Sequence, residues 1–115
     1  MNEKTNNPQD ELSEPKDALP PVSIDELPEV MRSATSRVGW KELTPVQARA
    51  IPYLQARRDL MVQARTGSGK TGAFVLPILE RVDTRKDTCQ VLVLVPTREL
   101  ARQVTSDAKL LAGDS

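Results

Sequence analysis

The sequence contains no histidine and a single cysteine, Cys89. One cysteine cannot close a disulfide within the chain, and without histidine no zinc site of familiar spacing is spelled out. The expected compartment is therefore cytoplasmic. Long apolar runs are also missing: none approaches the roughly 18 residues that a membrane-crossing helix needs. The first residues are acidic and polar, unlike a secretory signal. A net charge is absent too, with sixteen basic against sixteen acidic side chains. That balance is uneven along the chain. Residues 1–38 hold four Lys/Arg against eight Asp/Glu, and residues 39–115 hold twelve against eight. The mildly basic second part suits a phosphate-rich partner, and equally an ordinary solvated surface. At 115 residues the chain is one domain or less, with room for a modest core.

Residues 1–20 are rich in Asn, Pro, Asp and Glu and read as a disordered acidic tail. Ser23 and Glu26 have the spacing of a capping box. Leu27, Val30, Met31, Ala34 and Val38 then recur at helical intervals up to a terminating Gly39, with Pro28 early enough to be tolerated. Thr44 and Pro45 open a second helical stretch, which Pro52 is expected to break into two short helices, about 45–51 and 53–57. "DLMVQA" (59–64) is a short apolar run expected to be a buried strand. Residues 69–82 read as a helix kinked at Pro77, and 83–88 as a polar loop. "CQVLVLVP" (89–96) is the clearest strand, apolar at every position from 91 to 95, as for a strand covered on both faces. Cys89 opens it as a small buried or edge residue. Residues 97–113 form a helix capped by Thr97 and ended by Gly113. The order strand, helix, strand, helix is a βαβα beginning in an α/β protein with a parallel sheet.

Between the first strand and its helix lies "QARTGSGKTGAF", residues 63–74. Its spacing is that of a Walker-type phosphate loop, with Ala64 where glycine is more usual. Gly67 and Gly69 allow the backbone to wrap and point N–H groups inward as an anion nest. The following helix turns its positive dipole end toward the phosphates. Lys70 can reach the β- and γ-phosphates, and the Thr71 hydroxyl can take a Mg²⁺ position. Arg65, Thr66, Ser68 and Gly72 complete the candidate nucleotide-binding stretch.

Two further segments narrow the class. "GWKELTPVQ" lies upstream of "ARTGSGKT", and "PTREL" lies downstream. Together the three resemble the start of a DEAD-box ATP-dependent RNA helicase, over roughly residues 22–112. The resemblance implies an incomplete RecA-like P-loop NTPase domain over 21–115, ATP and Mg²⁺ as cofactors, and RNA as partner. It implies that Gln47 selects adenine, with Gly39, Trp40, Thr44 and Pro45 shaping the motif. The chemistry is consistent: a glutamine amide offers an acceptor and a donor to adenine's 6-amino group and N7, whereas guanine presents two acceptors there. It also implies that Pro96, Thr97 and Arg98 hold RNA backbone. No acid sits one turn beyond Arg98 to pair with it, since Ala101 and Arg102 occupy those positions. The sequence departs from the family at Leu43, where proline is usual, and at Trp40, where phenylalanine or tyrosine is more frequent. It departs also at Ile24, which stands where an aromatic commonly stacks on adenine and can cover a ring face without the aromatic contribution.

Phosphoryl transfer also needs a carboxylate for Mg²⁺, a group that orients water and usually an arginine. No "DEAD" stretch or similar follows here. The expectation is a chain truncated before the acidic box, inactive by itself, and prone to poor folding because the family's sheet places later strands between its two strands. The alternatives are a related DNA helicase fragment or a truncated, non-enzymatic nucleotide-binding chain.

Overall fold

The computed structural model describes residues 17–65, Gly67 and residues 69–113. Most of the acidic tail (1–16), Thr66 and Ser68 lie outside the described residues. Four helices dominate: α1 (Glu29–Arg37), α2 (Pro45–Gln55), α3 (Lys70–Arg81) and α4 (Arg98–Ala112), preceded by one 3₁₀ turn at Ile24–Glu26.

The first helical stretch is divided. Glu26 accepts the Ser23 backbone N–H at 2.8 Å, so the capping pair forms, but it closes the 3₁₀ turn. Leu27 is extended (ψ 150°) because the ring of Pro28 disfavours the helical region for the residue before it, and α1 starts anew at Glu29. Gly39 then leaves α1 with φ +77°.

Pro52 does not break α2, contrary to the expectation from sequence. A proline inside a helix leaves the carbonyl four residues earlier without its N–H partner. That carbonyl belongs to Ala48, and Val22 supplies its backbone N–H at 3.0 Å. The strap of chain before the 3₁₀ turn thus compensates the proline. It is held twice more, by Leu19 N–H on the Tyr53 hydroxyl (3.0 Å) and by Arg58 on Asp17 (2.9 Å). Arg58 in turn lies over the Tyr53 ring, 5.1 Å from its centroid.

α3 is the hub and packs on α1, α2 and α4. Leu27, Met31, Ala34, Ile51, Val75, Leu76 and Leu111 form the core between them. α4 keeps its expected caps, with Leu100 N–H donating to Thr97 Oγ1 at 3.1 Å and Gly113 at the far end. A long-range tie closes the bundle: Arg37 at the end of α1 donates to the Leu111 carbonyl through Nη2 (2.6 Å) and Nε (3.2 Å).

The two apolar runs behave differently from expectation. Among the described residues neither 59–64 nor 89–96 joins a ladder. Leu92 is 77% and Leu94 83% exposed, and Cys89 is exposed rather than buried or at a sheet edge. A parallel strand needs a neighbour on each side to satisfy its backbone, and these two segments do not supply one another.

Candidate functional site

The candidate phosphate loop occupies the turn into α3. Gly67 (φ +82°) and Gly69 (φ +88°) both take left-handed backbone that side-chain-bearing residues rarely adopt. At Gly69 space is also decisive. A Cβ there would meet Gln47 Nε2 at 2.6 Å and Thr44 Oγ1 at 3.0 Å. The loop is therefore pressed against the start of α2.

Gln47 makes that junction. It stands at the third position of α2, only 2% exposed. Its Oε1 accepts the Thr44 N–H at 2.9 Å, while Thr44 Oγ1 accepts the Gln47 N–H at 3.3 Å. Its Nε2 donates to the Gly69 carbonyl at 3.1 Å. The partners fix the amide's orientation, because an N–H can only be met by the oxygen and a carbonyl only by the nitrogen. These bonds use one lone pair and one N–H of an amide that is almost wholly buried.

Trp40 covers the same place from the other side. A Cβ on Gly72 would lie 2.7 Å from Trp40 Cη2 and 2.7 Å from Gln47 Nε2. The structure thus gathers Trp40, Thr44, Gln47, Gly69 and Gly72 into one contact. Lys70 opens α3 and folds back across the loop, donating from Nζ to the Ala64 carbonyl at 2.7 Å. Thr71 stands beside it, and Arg65 is exposed on the loop's approach.

A cleft of about 760 Å³ opens in front of these residues, lined by Trp40, Gly67, Gly69, Lys70, Thr71 and Gly72. Its opposite wall is α4, through Leu100, Gln103, Val104 and Asp107. Ile24, Thr44 and Gln47 do not line it; Gln47 lies buried behind the loop. Arg98 does not either; it lies on another face of α4, beside Arg102 and Lys109. Sequence reasoning missed Gln103 and Asp107. The signal was the spacing 100, 103, 104, 107 and 111, which puts them on one side of a helix. It also missed Arg37, whose target is a main-chain carbonyl 74 residues away and leaves no trace in local sequence.

The residues present fit a nucleoside triphosphate: two left-handed glycines, a helix start, a lysine beside it and a cleft beyond. For a divalent cation the loop offers Thr71, and no group of three or more His, Cys, Asp or Glu side chains gathers among the described residues.

The family model for DEAD/DEAH box helicases matches residues 44–114. The chain belongs to this family. It is 48% identical over 79 residues to the DEAD-box ATP-dependent RNA helicase CshA of Geobacillus kaustophilus, a match covering 69% of this chain and 17% of that one. It is 44% identical over 90 residues to the ATP-dependent RNA helicase DbpA of Escherichia coli, covering 78% and 20%. Among solved structures it resembles the RNA helicase Prp28 of Chaetomium thermophilum bound to ADP (TM-score 0.67, 44% identity, 75% of this chain and 22% of that one). A DEAD box protein of Methanococcus jannaschii gives a TM-score of 0.72 at 34% identity, over 81% and 26%. The matched stretch thus spans about a fifth of these helicases. Among the described residues no helix is long and apolar enough to cross a membrane.

Proposed function

We propose that this chain is the nucleotide-gripping N-terminal part of the first RecA-like domain of a cytoplasmic, ATP-dependent RNA helicase. Gln47 reads adenine through its side-chain amide. The backbone from Gly67 to Gly69, with Arg65, Thr66 and Ser68 around it, cradles the phosphates. Lys70 leaves the Ala64 carbonyl and turns to the β- and γ-phosphates, and Gly72 lets the base-reading segment approach. The Thr71 hydroxyl would hold Mg²⁺, which would supply charge neutralisation at the phosphates. Pro96, Thr97 and Arg98, at the start of α4, hold RNA backbone. In the assembled domain, residues 59–64 and 89–96 enter a parallel sheet whose other strands cover their apolar faces, and residues 21–115 belong to that one domain.

One observation carries the reading: the bond from Gln47 to Gly69. It makes a base-reading amide and a phosphate loop into a single rigid unit, which a phosphate loop alone has no need of. The family match and the ADP-bound relative support the same ligand class. The experiment is equilibrium binding of fluorescent ATP and GTP analogues to the wild type and to Lys70→Ala. ATP should bind in preference to GTP, and Lys70→Ala should weaken it about tenfold or more. Equal affinity for both nucleotides, unaltered by Lys70→Ala, would overturn the reading.

A further inference from the structure

We infer that the solvent face of α4 is a phosphate track that carries single-stranded RNA away from Thr97 and Arg98. The inference rests on the RNA reading of the 96–98 segment and extends it to residues that reading does not use. Arg98, Ala101, Arg102, Thr105, Ser106 and Lys109, all exposed, line a shallow groove of about 380 Å³ along this helix. At about 100° per residue, Arg102 and Lys109 fall within roughly 40° and 20° of Arg98 around the helix axis. The acids of α4 lie off this stripe: Glu99 is roughly 100° from Arg98 and 60° from Arg102, without an ion pair to either among the described residues, and Asp107 is roughly 180° from Arg98, in the wall of the nucleotide cleft.

Three cations therefore share one stripe with no acid on it. None of them pairs with a carboxylate among the described residues. Solvated helix faces ordinarily mix both signs, and like charges four residues apart weaken a helix. The arrangement is unfavourable for the helix by itself and favourable beside a polyanion. Arg98 and Arg102 stand roughly 6 Å apart along the axis, from a rise of about 1.5 Å per residue. That separation is close to the spacing of successive phosphates on an extended strand. Ser106 and Thr105 add hydroxyls between Arg102 and Lys109. Thr105 donates its proton to the Ala101 carbonyl at 2.8 Å, so its oxygen faces the groove only as an acceptor, suited to a ribose hydroxyl rather than a phosphate.

The test is the salt dependence of binding to a labelled single-stranded RNA, and to DNA of the same sequence, by anisotropy at nanomolar protein. Removing one cation that neutralises a phosphate lowers the log–log slope by about 0.7. The pair Arg102→Ala and Lys109→Ala should lower the RNA slope by about 1.4 and low-salt affinity on the order of tenfold. Lys86→Ala, an exposed cation in the 83–88 loop, should leave the slope unchanged, and Lys109→Arg should keep it. Nucleotide affinity and helix content should stay as in the wild type. If the wild type binds RNA, Arg98→Ala weakens it and the double variant keeps the full slope, the track is wrong and the 96–98 reading stands. If the wild type has no RNA affinity at low salt, or the double variant loses slope on DNA alone, the track falls. Capture by phosphatidylserine vesicles in preference to RNA overturns it as well.

Discussion

Gln47 Nε2 and the Gly69 carbonyl, 22 residues apart in sequence, meet at 3.1 Å and tie the start of α2 to the phosphate loop. Gln47→Ala would leave the part-buried Gly69 carbonyl and Thr44 N–H without these partners. Orphaning a buried polar group costs about 1–3 kcal/mol. The variant should therefore melt at lower temperature. It should also bind ATP about tenfold more weakly, since a bidentate base contact is worth about 1–3 kcal/mol. Gln47→Glu removes the donor from both roles and keeps only the acceptor. Its carboxylate still accepts from Thr44 but cannot donate to Gly69, so it should lose ATP preference over GTP as well. Calorimetric melting and paired nucleotide titrations check both. A Gln47→Ala variant with unchanged ATP affinity would remove this residue from the binding site.

Gly72 gives a prediction of sign. Alanine is preferred to glycine inside a helix by about 1 kcal/mol, so Gly72→Ala would stabilise α3 if propensity decided the matter. A Cβ at this buried position meets Gln47 and Trp40 at 2.7 Å, and overpacking of that kind costs about 1–3 kcal/mol. We expect the clash to win, with a lower melting temperature and weaker ATP binding. Trp40→Leu in the Gly72→Ala background should restore part of both, because it removes one of the two obstructing groups. A Gly72→Ala protein that melts higher than wild type refutes the close contact.

Arg37 pins the last turn of α4 to α1 through two bonds onto the Leu111 carbonyl. Charged donors strengthen such bonds, and a cation at a helix C-terminus also meets the favourable end of the dipole. Arg37 is itself exposed, so the effect is discounted for solvent: Arg37→Ala should cost about 1 kcal/mol, and Arg37→Lys about half of that. Hydrogen exchange should speed up at the C-terminal turn of α4 more than at α2. Uniform acceleration across all four helices would mean that the tie has no local role.

In the loop after α3, the guanidinium and backbone N–H of Arg85 hold the Asp83 carboxyl below its ordinary value of 3.8. The Asp83 side chain is half-buried in an exposed loop and meets only Arg85 there among the described residues, so the consequence is local. A depressed carboxyl contributes its stabilisation above the unfolded value and loses it as pH falls through the folded one. Carbon-detected titration of Asp83 should give a midpoint below 3.8, and Arg85→Ala should move it back up. No movement on that substitution would assign the shift to something other than Arg85.

The sequence was legible where local chemistry decides. Thr44 and Thr97 cap their helices, Gly39 and Gly113 end theirs, and the glycine-rich segment turns into a helix at Lys70, because caps and left-handed turns depend on residues within a few positions. It was illegible where distant groups decide. Pro52 reads as a breaker because nothing nearby announces that Val22 will take the Ala48 carbonyl. The adenine-selecting role expected of Gln47 rests on family resemblance, whereas its bond to Gly69 depends on how α2 packs against the start of α3. Residues 89–96 show the limit most clearly: an apolar run specifies that it must be covered on both faces, and what covers it must come from elsewhere in a chain.

That uncovered run supports the last prediction. Val91 and Val93 are roughly 40% exposed while Leu92 and Leu94 stand out at 77% and 83%, with no ladder on either side of them among the described residues. Short apolar segments of high β-propensity with free backbone groups pair edge to edge. The segment also borders a groove of about 610 Å³ whose other wall is Leu54, Phe74, Pro77 and Ile78, with Arg57 and Arg81 among them, so a second copy finds some apolar surface beside the free edge. The 115-residue chain by itself should therefore self-associate as its concentration rises, with β-type infrared absorption growing in the associated material. Leu92→Lys with Leu94→Lys places two charges on the exposed side and should keep the chain monomeric while leaving the α1–α4 core and ATP binding intact. Sedimentation velocity across a concentration series decides it. A wild-type chain that stays monomeric and unfolds in one cooperative thermal transition would show that the uncovered run is harmless.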